Sequence, residues 1–302
     1  MAGQANSIRS ILFALGANLA IAVAKLGGAV ATGSSAMLAE AIHSFADSGN
    51  QGLLLWGLSR AKRPPSPDYP LGHGKEIYFW SFIVALVLFM LGGLFSIYEG
   101  AHKFGEPEPL TYPWVAVAIL VFGVVAESVS LYGCLTEVNK VREGRSLWLW
   151  FRESRQSELV VVLGEDIAAL LGLVLALVAV VATMATGDPR YDAGGSIAIG
   201  VVLVVVAIGI AVEIKGLLIG QSADPHVEKA LREFLAQRQE IAQVYRLLTL
   251  QLGASLMVAV KARMREDGSV EPMIASINRV EAAMRVAFPE IQWLFFEPDV
   301  KD

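Results

Sequence analysis

Apolar residues fill long, nearly uncharged stretches of this chain, separated by short polar and basic connectors. A bilayer-crossing helix needs about 20 mostly apolar residues, and six stretches meet that length. They run over 8–31, 36–59, 77–100, 112–137, 157–185 and 193–219. These runs are too long for barrel strands, and lipid offers no partner to unpaired backbone groups, so each is predicted as a helix. The pattern changes near Ser222. Pro225–Gln237 has a helical period after Asp224, a candidate N-cap. Tyr245–Leu252 and Met257–Met264 read as strands joined through Gly253-Ala-Ser255, and Glu266-Asp-Gly-Ser269 reads as a turn. Met273–Phe288 follows as an amphipathic helix and Ile291–Glu297 as a last strand. The order α-β-β-α-β predicts an open, ferredoxin-like sheet with helices on one face. The expected organisation is an α-helical membrane domain of six spans over 1–221 and a small α+β domain over 222–302.

Composition sharpens this division. The chain is 55% hydrophobic, against about 45–50% for soluble domains. The last 81 residues hold 12 of the 29 acidic and 10 of the 24 basic side chains, so the first 221 are charge-poor. No Lys/Arg tract marks a nucleic-acid footprint. The single cysteine, Cys134, excludes an intrachain disulfide and a cysteine-rich metal site. The first apolar run is too long for a signal-peptide core and has no small-residue cleavage site after a short core, so it reads as the first span. The connector after the second span holds Arg60, Lys62, Arg63 and Lys75. The one after the fourth holds Lys140, Arg142, Arg145, Arg152 and Arg155. The opposite loops hold only Lys103 and Arg190. Basic loops stay inside, which places both termini in the cytoplasm. Trp148, Trp150 and Phe151 suit an interfacial stretch. A compact chain without targeting extensions leads to the expectation of a bacterial inner membrane, with an organelle membrane as the alternative.

Charges inside the spans are the candidate chemistry, because a charge in hydrocarbon costs several kcal/mol and marks a functional site by default. In the second span, His43 and Asp47 are four apart and share one helix face. Glu40 lies three before His43, and Asn50 three after Asp47, completing a polar stripe. The fifth span carries Glu165 and Asp166. Counted from Arg60 and Arg155, Asp47 and Asp166 both sit roughly 16–20 Å in, near mid-bilayer. An imidazole with two or three carboxylates suits tetrahedral Zn²⁺. The same set would hold Fe²⁺, Co²⁺ or Mn²⁺. Glu40 could instead line the entry path, and Glu165 points about 100° from Asp166. A lone membrane histidine is commonly a hydrogen-bonding partner between helices; the matched carboxylates are what raise it to a metal or proton group. Lys25 either snorkels or pairs with an acid. The pairs Gly27-Gly28, Gly92-Gly93 and Gly194-Gly195 suit close helix packing.

Several segments together resemble the cation diffusion facilitator family, whose animal members are called ZnT transporters. They are Gly33-Ser-Ser-Ala-Met-Leu38, His43-Ser-Phe-Ala-Asp47 with Asn50-Gln51, Tyr69-Pro-Leu-Gly-His-Gly-Lys75-Glu76, Asp192-Ala-Gly-Gly-Ser196 and Leu217-Leu-Ile-Gly-Gln-Ser222. Glu127-Ser128 and Glu165-Asp-Ile-Ala-Ala-Leu-Leu-Gly172 look most like the ZnT9-like branch. The resemblance implies a homodimer that exports Zn²⁺ from the cytoplasm in exchange for protons by alternating access. It implies a site of two positions on span two, His43 and Asp47, and two on span five, Val162 and Asp166. Valine cannot bind metal, so Glu165, Glu40 or water would have to complete the shell. His73 matches a loop position that holds metal in some members, although Ser66 and Tyr69 stand where other ligands would be. The tail lacks a histidine cluster beyond His226, so a dimerising role is expected there rather than zinc sensing.

The expected function is a secondary transporter, not an enzyme, with no prosthetic group. Its expected partners are the bilayer, protons, a divalent cation and a second copy of itself. Two alternatives stay open: a Mn²⁺, Fe²⁺ or Co²⁺ exporter of the same fold, and a non-transporting member acting through partners. A membrane metalloenzyme is disfavoured, since no His-Glu-x-x-His signature exists.

Overall fold

The computed structural model describes residues 18–107, 109–265 and 269–301. The predicted start of the first span, residues 8–17, and most of the turn at Glu266-Asp-Gly-Ser269 lie outside the described residues. The helical part comprises α1 (Asn18–Thr32), α2 (Ser35–Ala61), α3 (Glu76–Gly105) and α4 (Pro113–Val141). It continues with α5 (Leu147–Glu153), α6 (Ser157–Thr186) and α7 (Arg190–Ile219). The tail holds α8 (Pro225–Ala236), β1 (Ile241–Leu252), β2 (Ser255–Met264), α9 (Val270–Ala287) and β3 (Ile291–Pro298).

Among the described residues, four helices are long and apolar enough to cross a membrane: α3, α4, α6 and α7. Six were expected, and the difference has physical causes. The helix α2 has the length, but its stripe of Glu, His, Asp, Asn and Gln lowers its hydropathy. Only 15 residues of α1 are described. The helices also run a few residues past their apolar cores, because polar ends continue the helix without adding to the apolar pattern. The short α5 was expected only as an interfacial stretch, since seven residues give too little period to read. Only 17–44% of each apolar window is buried within the protein. Large apolar side chains such as Val30, Leu91, Phe122, Val178 and Val205 stand exposed. An apolar surface this extensive requires a hydrocarbon environment.

The chain forms two compact units. The first contains the residues up to Trp56, Trp80–Ser146 and Glu158–Glu213. A close seam joins α3 to α7. Gly93 and Gly100 face Gly200 and Ala193, and the Ser196 hydroxyl donates to the Ser96 carbonyl at 2.8 Å. The helices approach backbone to backbone, as small residues in membranes permit. Of the glycine pairs noted in the sequence, one or both members meet a neighbour. Gly28 abuts Met37 and Ile119, and Gly195 abuts Ala179, while Gly27 and Gly194 face open space. Around Gly92-Gly93 the helix α3 loosens to a π-helical pitch over Leu88–Leu94.

The second unit contains Gly57–Phe79, Leu147–Ser157 and Ile214–Asp302. Its sheet has the order β1-β2-β3, with β1 and β2 antiparallel and β2 and β3 parallel. The central strand β2 alternates cleanly, burying Leu256, Val258, Val260, Ala262 and Met264. These meet Leu231 and Leu235 of α8 and Val280 and Met284 of α9 in one core. Asp224 caps α8 by accepting from the His226 amide at 2.9 Å, as its sequence position suggested. The strand β1 begins four residues before its predicted start, because irregular register between Ile241 and Arg246 breaks the alternation there. At the hairpin turn, Gly253 has φ +67 and its amide donates to the Tyr78 hydroxyl at 2.9 Å. Arg155 donates to the Ser222 carbonyl at 2.7 Å.

Candidate functional site

The helix α2 is set by its first residues. Gly33 takes a left-handed turn (φ +70) and ends α1. The Asp192 carboxylate at the start of α7 then accepts from the Ser34 hydroxyl at 2.6 Å, the Ser35 amide at 2.7 Å and the Ser35 hydroxyl at 2.8 Å. A carboxylate on the free amides of a helix N-terminus is favourable both as a hydrogen-bond acceptor and against the helix dipole. Asp192→Ala is expected to lower thermal stability in detergent by about 1–2 kcal/mol, read as a shift of the unfolding midpoint. An unchanged midpoint would refute the cap's energetic role.

Below that cap the polar stripe is buried. Glu40, His43 and Asn50 are fully inaccessible. Nδ1 of His43 lies 3.4 Å from Oδ1 of Asp47, but without hydrogen-bond alignment. Both ring nitrogens of His43 and Oδ1 of Asp47 are buried with no hydrogen-bond partner among the described residues. Buried polar atoms are nearly always paired, so this group of unpartnered ring nitrogens and carboxylate oxygen marks the candidate site. The π-helical stretch of α3 lies beside the imidazole: a Cβ at Gly92 would stand 3.8 Å from its Nδ1, in ordinary van der Waals contact.

The flanking carboxylates have partners. Glu40 forms a buried ion pair with Lys25 at 3.3 Å, and Lys25 also donates to the Ser44 hydroxyl at 2.7 Å. The second oxygen of Glu40 lies against Gly172, where any side chain would collide with it. The Asn50 amide donates to Glu165 at 2.5 Å. Asp166 instead accepts from Ser130 of α4 at 3.4–3.5 Å. Of the two adjacent acids on α6, it is therefore Glu165 whose carboxylate bonds to α2. Among the described residues, no three of the His, Cys, Asp and Glu side chains gather closely enough to hold a metal ion. His43 and Asp47 are together, whereas Glu40, Glu165 and Asp166 are each held on a different neighbour.

His73 is engaged in its own loop. Its Nδ1 lies 2.8 Å from Glu76, which also accepts from Arg60 at 2.9 Å, and the Tyr69 ring lies tilted at 40° to the imidazole with centroids 4.4 Å apart. Sequence reasoning named Lys25 as a partner for some acid without identifying Glu40. It missed Ser130 altogether, because a lone serine on a membrane helix carries no signal. It quoted Asp192 in a motif without its role; two serines heading an apolar run were the available hint of a helix start.

Comparison with known proteins adds the family. Residues 11–219 match the model of the cation efflux transmembrane domain. The mitochondrial proton-coupled zinc antiporter of Xenopus laevis is 35% identical over 248 residues, 82% of this chain and 44% of that protein. Its Homo sapiens counterpart is 33% identical over 241 residues, 79% of this chain and 42% of that protein. A metal tolerance protein of Arabidopsis thaliana is 31% identical over 242 residues, 80% and 53% respectively. The chain thus spans about half the length of the curated relatives it matches. These relatives also correct the expected location. Two are named as mitochondrial and the third is a plant protein, so a bacterial inner membrane is not supported, while an integral membrane protein is. With every helix from α1 to α7 inside the matched segment, the chain belongs to the cation diffusion facilitator family of membrane transporters.

Proposed function

We propose that this protein moves Zn²⁺ across a membrane in exchange for protons, away from the side that carries both termini. The observation that carries the reading is the buried His43–Asp47 pair, with both ring nitrogens and a carboxylate oxygen unpartnered. Metal ligands must be deprotonated, so ion and protons compete for the same atoms. Neutral His43 and ionised Asp47 take the ion; protons arriving from the opposite side convert His43 to a cation and Asp47 to an acid, and expel it. No bond of a substrate breaks, so the protein is a transporter rather than an enzyme. The names of the Xenopus and human relatives, proton-coupled zinc antiporters, support the same exchange.

In this reading the remaining ligands come from α6, with Glu165 or Asp166 turning in when the ion binds. Glu40 is the weaker ligand, since Lys25 already balances its charge. His73 is a loop residue that orders Glu76 and Arg60. The transport domain covers 1–221 with six spans, α1 and α2 joining the four apolar helices. The domain at 222–302 pairs two copies.

One observation favours a second reading. Val162 stands where the family places a ligand, and no three-ligand cluster exists among the described residues. A chain that keeps the fold without transporting fits that gap. Ion uptake into proteoliposomes under an imposed pH gradient, with Zn²⁺, Mn²⁺, Fe²⁺, Co²⁺ and Cd²⁺ tested separately, decides. Gradient-dependent Zn²⁺ uptake is expected. Uptake of Mn²⁺, Fe²⁺ or Co²⁺ in its place would change the ion, and silence with all five would favour the second reading.

A further inference from the structure

Lys25 of α1 is a buried cation to which transport, as proposed, gives no task. A charge buried among membrane helices is costly and marks function by default. Two other helices make room for it. A Cβ at Gly123 of α4 would stand 3.4 Å from Cε of Lys25, and one at Gly172 of α6 would collide with Oε1 of Glu40. Four helices thus enclose the Lys25–Glu40 pair. Glu127 of α4 feels the same charge, but among the described residues Lys25 donates only to Glu40 and Ser44.

The pair is poorly made for stability. Nζ of Lys25 lies 3.3 Å from Oε2 of Glu40, longer than the roughly 2.7–2.9 Å of a strong charge-assisted bond. Oε1 of Glu40 is buried with no hydrogen-bond partner among the described residues. An ion pair this incomplete repays little of its desolvation. Its place beside the site is more telling. Glu40 stands three residues before His43, on the same face of α2. Ser44, the second anchor of Lys25, directly follows His43. A free carboxylate one turn from the imidazole would be a ready metal ligand. Lys25 instead draws Glu40 toward α1, and Glu40 forms no three-ligand cluster with His43 and Asp47.

We propose that Lys25 is a positioning residue that sets ion specificity by withholding Glu40 from the metal shell. The inference rests on His43 and Asp47 as the ion site. Imidazole suits Zn²⁺, whereas carboxylate oxygen suits Mn²⁺. A shell kept poorer in oxygen therefore disfavours Mn²⁺. Specificity is a difference of affinities, so the ratio between two ions reports it.

The test is calorimetry on the full chain in phosphatidylcholine nanodiscs, titrated with Zn²⁺ directly and with Mn²⁺ in competition against bound Zn²⁺. Lys25→Met is expected to raise the Mn²⁺-to-Zn²⁺ affinity ratio about tenfold, the usual scale for a residue that holds a ligand's orientation. Loss of a positive charge by itself strengthens both dications alike and leaves the ratio fixed. Adding Glu40→Gln to Lys25→Met should abolish the gain, whereas adding Glu127→Gln should not. Should Lys25→Met fail to fold, judged by its melting curve, Lys25→Gln, which keeps a donor for Ser44, carries the same expectation. A folded Lys25→Met or Lys25→Gln protein with the wild-type ratio would overturn the proposal, as would a gain that survives Glu40→Gln. Failure of the site itself reads differently: the wild-type chain then binds neither ion, or His43→Ala binds both as tightly as the wild type, and the proposal falls with the site.

Discussion

Asp47→Ala is expected to cut metal-driven proton exchange by at least about 100-fold while leaving the protein as stable as before. The two halves of this expectation have one cause. Oδ1 of Asp47 is buried and accepts no hydrogen bond among the described residues. Burying a polar group without a partner opposes folding, so its removal should not destabilise and can stabilise. The side chain is therefore retained for something other than the fold. His43→Ala should behave alike, since both its nitrogens are equally unpartnered. Flux into proteoliposomes with a matching melting curve gives both numbers. Wild-type flux in either variant would remove His43 and Asp47 from the site. Loss of flux together with collapse of the melting curve would make them structural residues. Asp192→Ala provides the contrast, because that carboxylate has three good donors and its loss should register in stability.

Gly200→Ala is expected to destabilise by about 1–3 kcal/mol, the usual cost of overpacking, whereas Gly209→Ala on the same helix should stabilise by about 0.5–1 kcal/mol. At Gly200 an added Cβ would stand 2.6 Å from the Gly93 carbonyl oxygen and 2.8 Å from the Ile97 amide nitrogen. Those are backbone atoms, so no rotamer change relieves the clash and α3 and α7 must separate. At Gly209 nothing lies within 4 Å, and only the helix preference for alanine remains. Unfolding in detergent measures both. Equal shifts for the two variants would mean that the α3–α7 seam is looser than described. The seam also bears on the site, because Gly93, which admits α7 on one side of α3, adjoins Gly92, which faces His43. A Gly200→Ala protein that folds should therefore show reduced flux as well.

Much of the architecture was legible in the chain itself. Long apolar runs locate α3, α4, α6 and α7 because a helix crossing hydrocarbon must be apolar over its length. Strict alternation located β2, whose one face is core. Where two demands compete, the pattern weakened. The helix α2 must be both a long helix and the carrier of a polar stripe, so its hydropathy falls below that of its neighbours. The first turns of β1 lost their alternation to irregular register. The seven residues of α5 span only two turns, too few to show a period.

The candidate site divides along the same line. Spacing alone set His43 and Asp47 on one face, because residues four apart on a helix are neighbours by geometry. It could not set which of Glu165 and Asp166 turns toward α2. Adjacent residues point about 100° apart, and the rotation of α6 about its own axis is decided by what packs around it. The structure resolves this by bonding Asn50 to Glu165 and Ser130 to Asp166. Nor could spacing match Lys25 with Glu40, 15 residues away on another helix. The sequence by itself determined which polar residues stand within the apolar runs and which helix each stands on, since composition and period are local. Only the tertiary structure decided who faces whom, because helix rotation and close approach are set by small residues such as Gly93, Gly172 and Gly200, whose effect comes from the neighbour they admit.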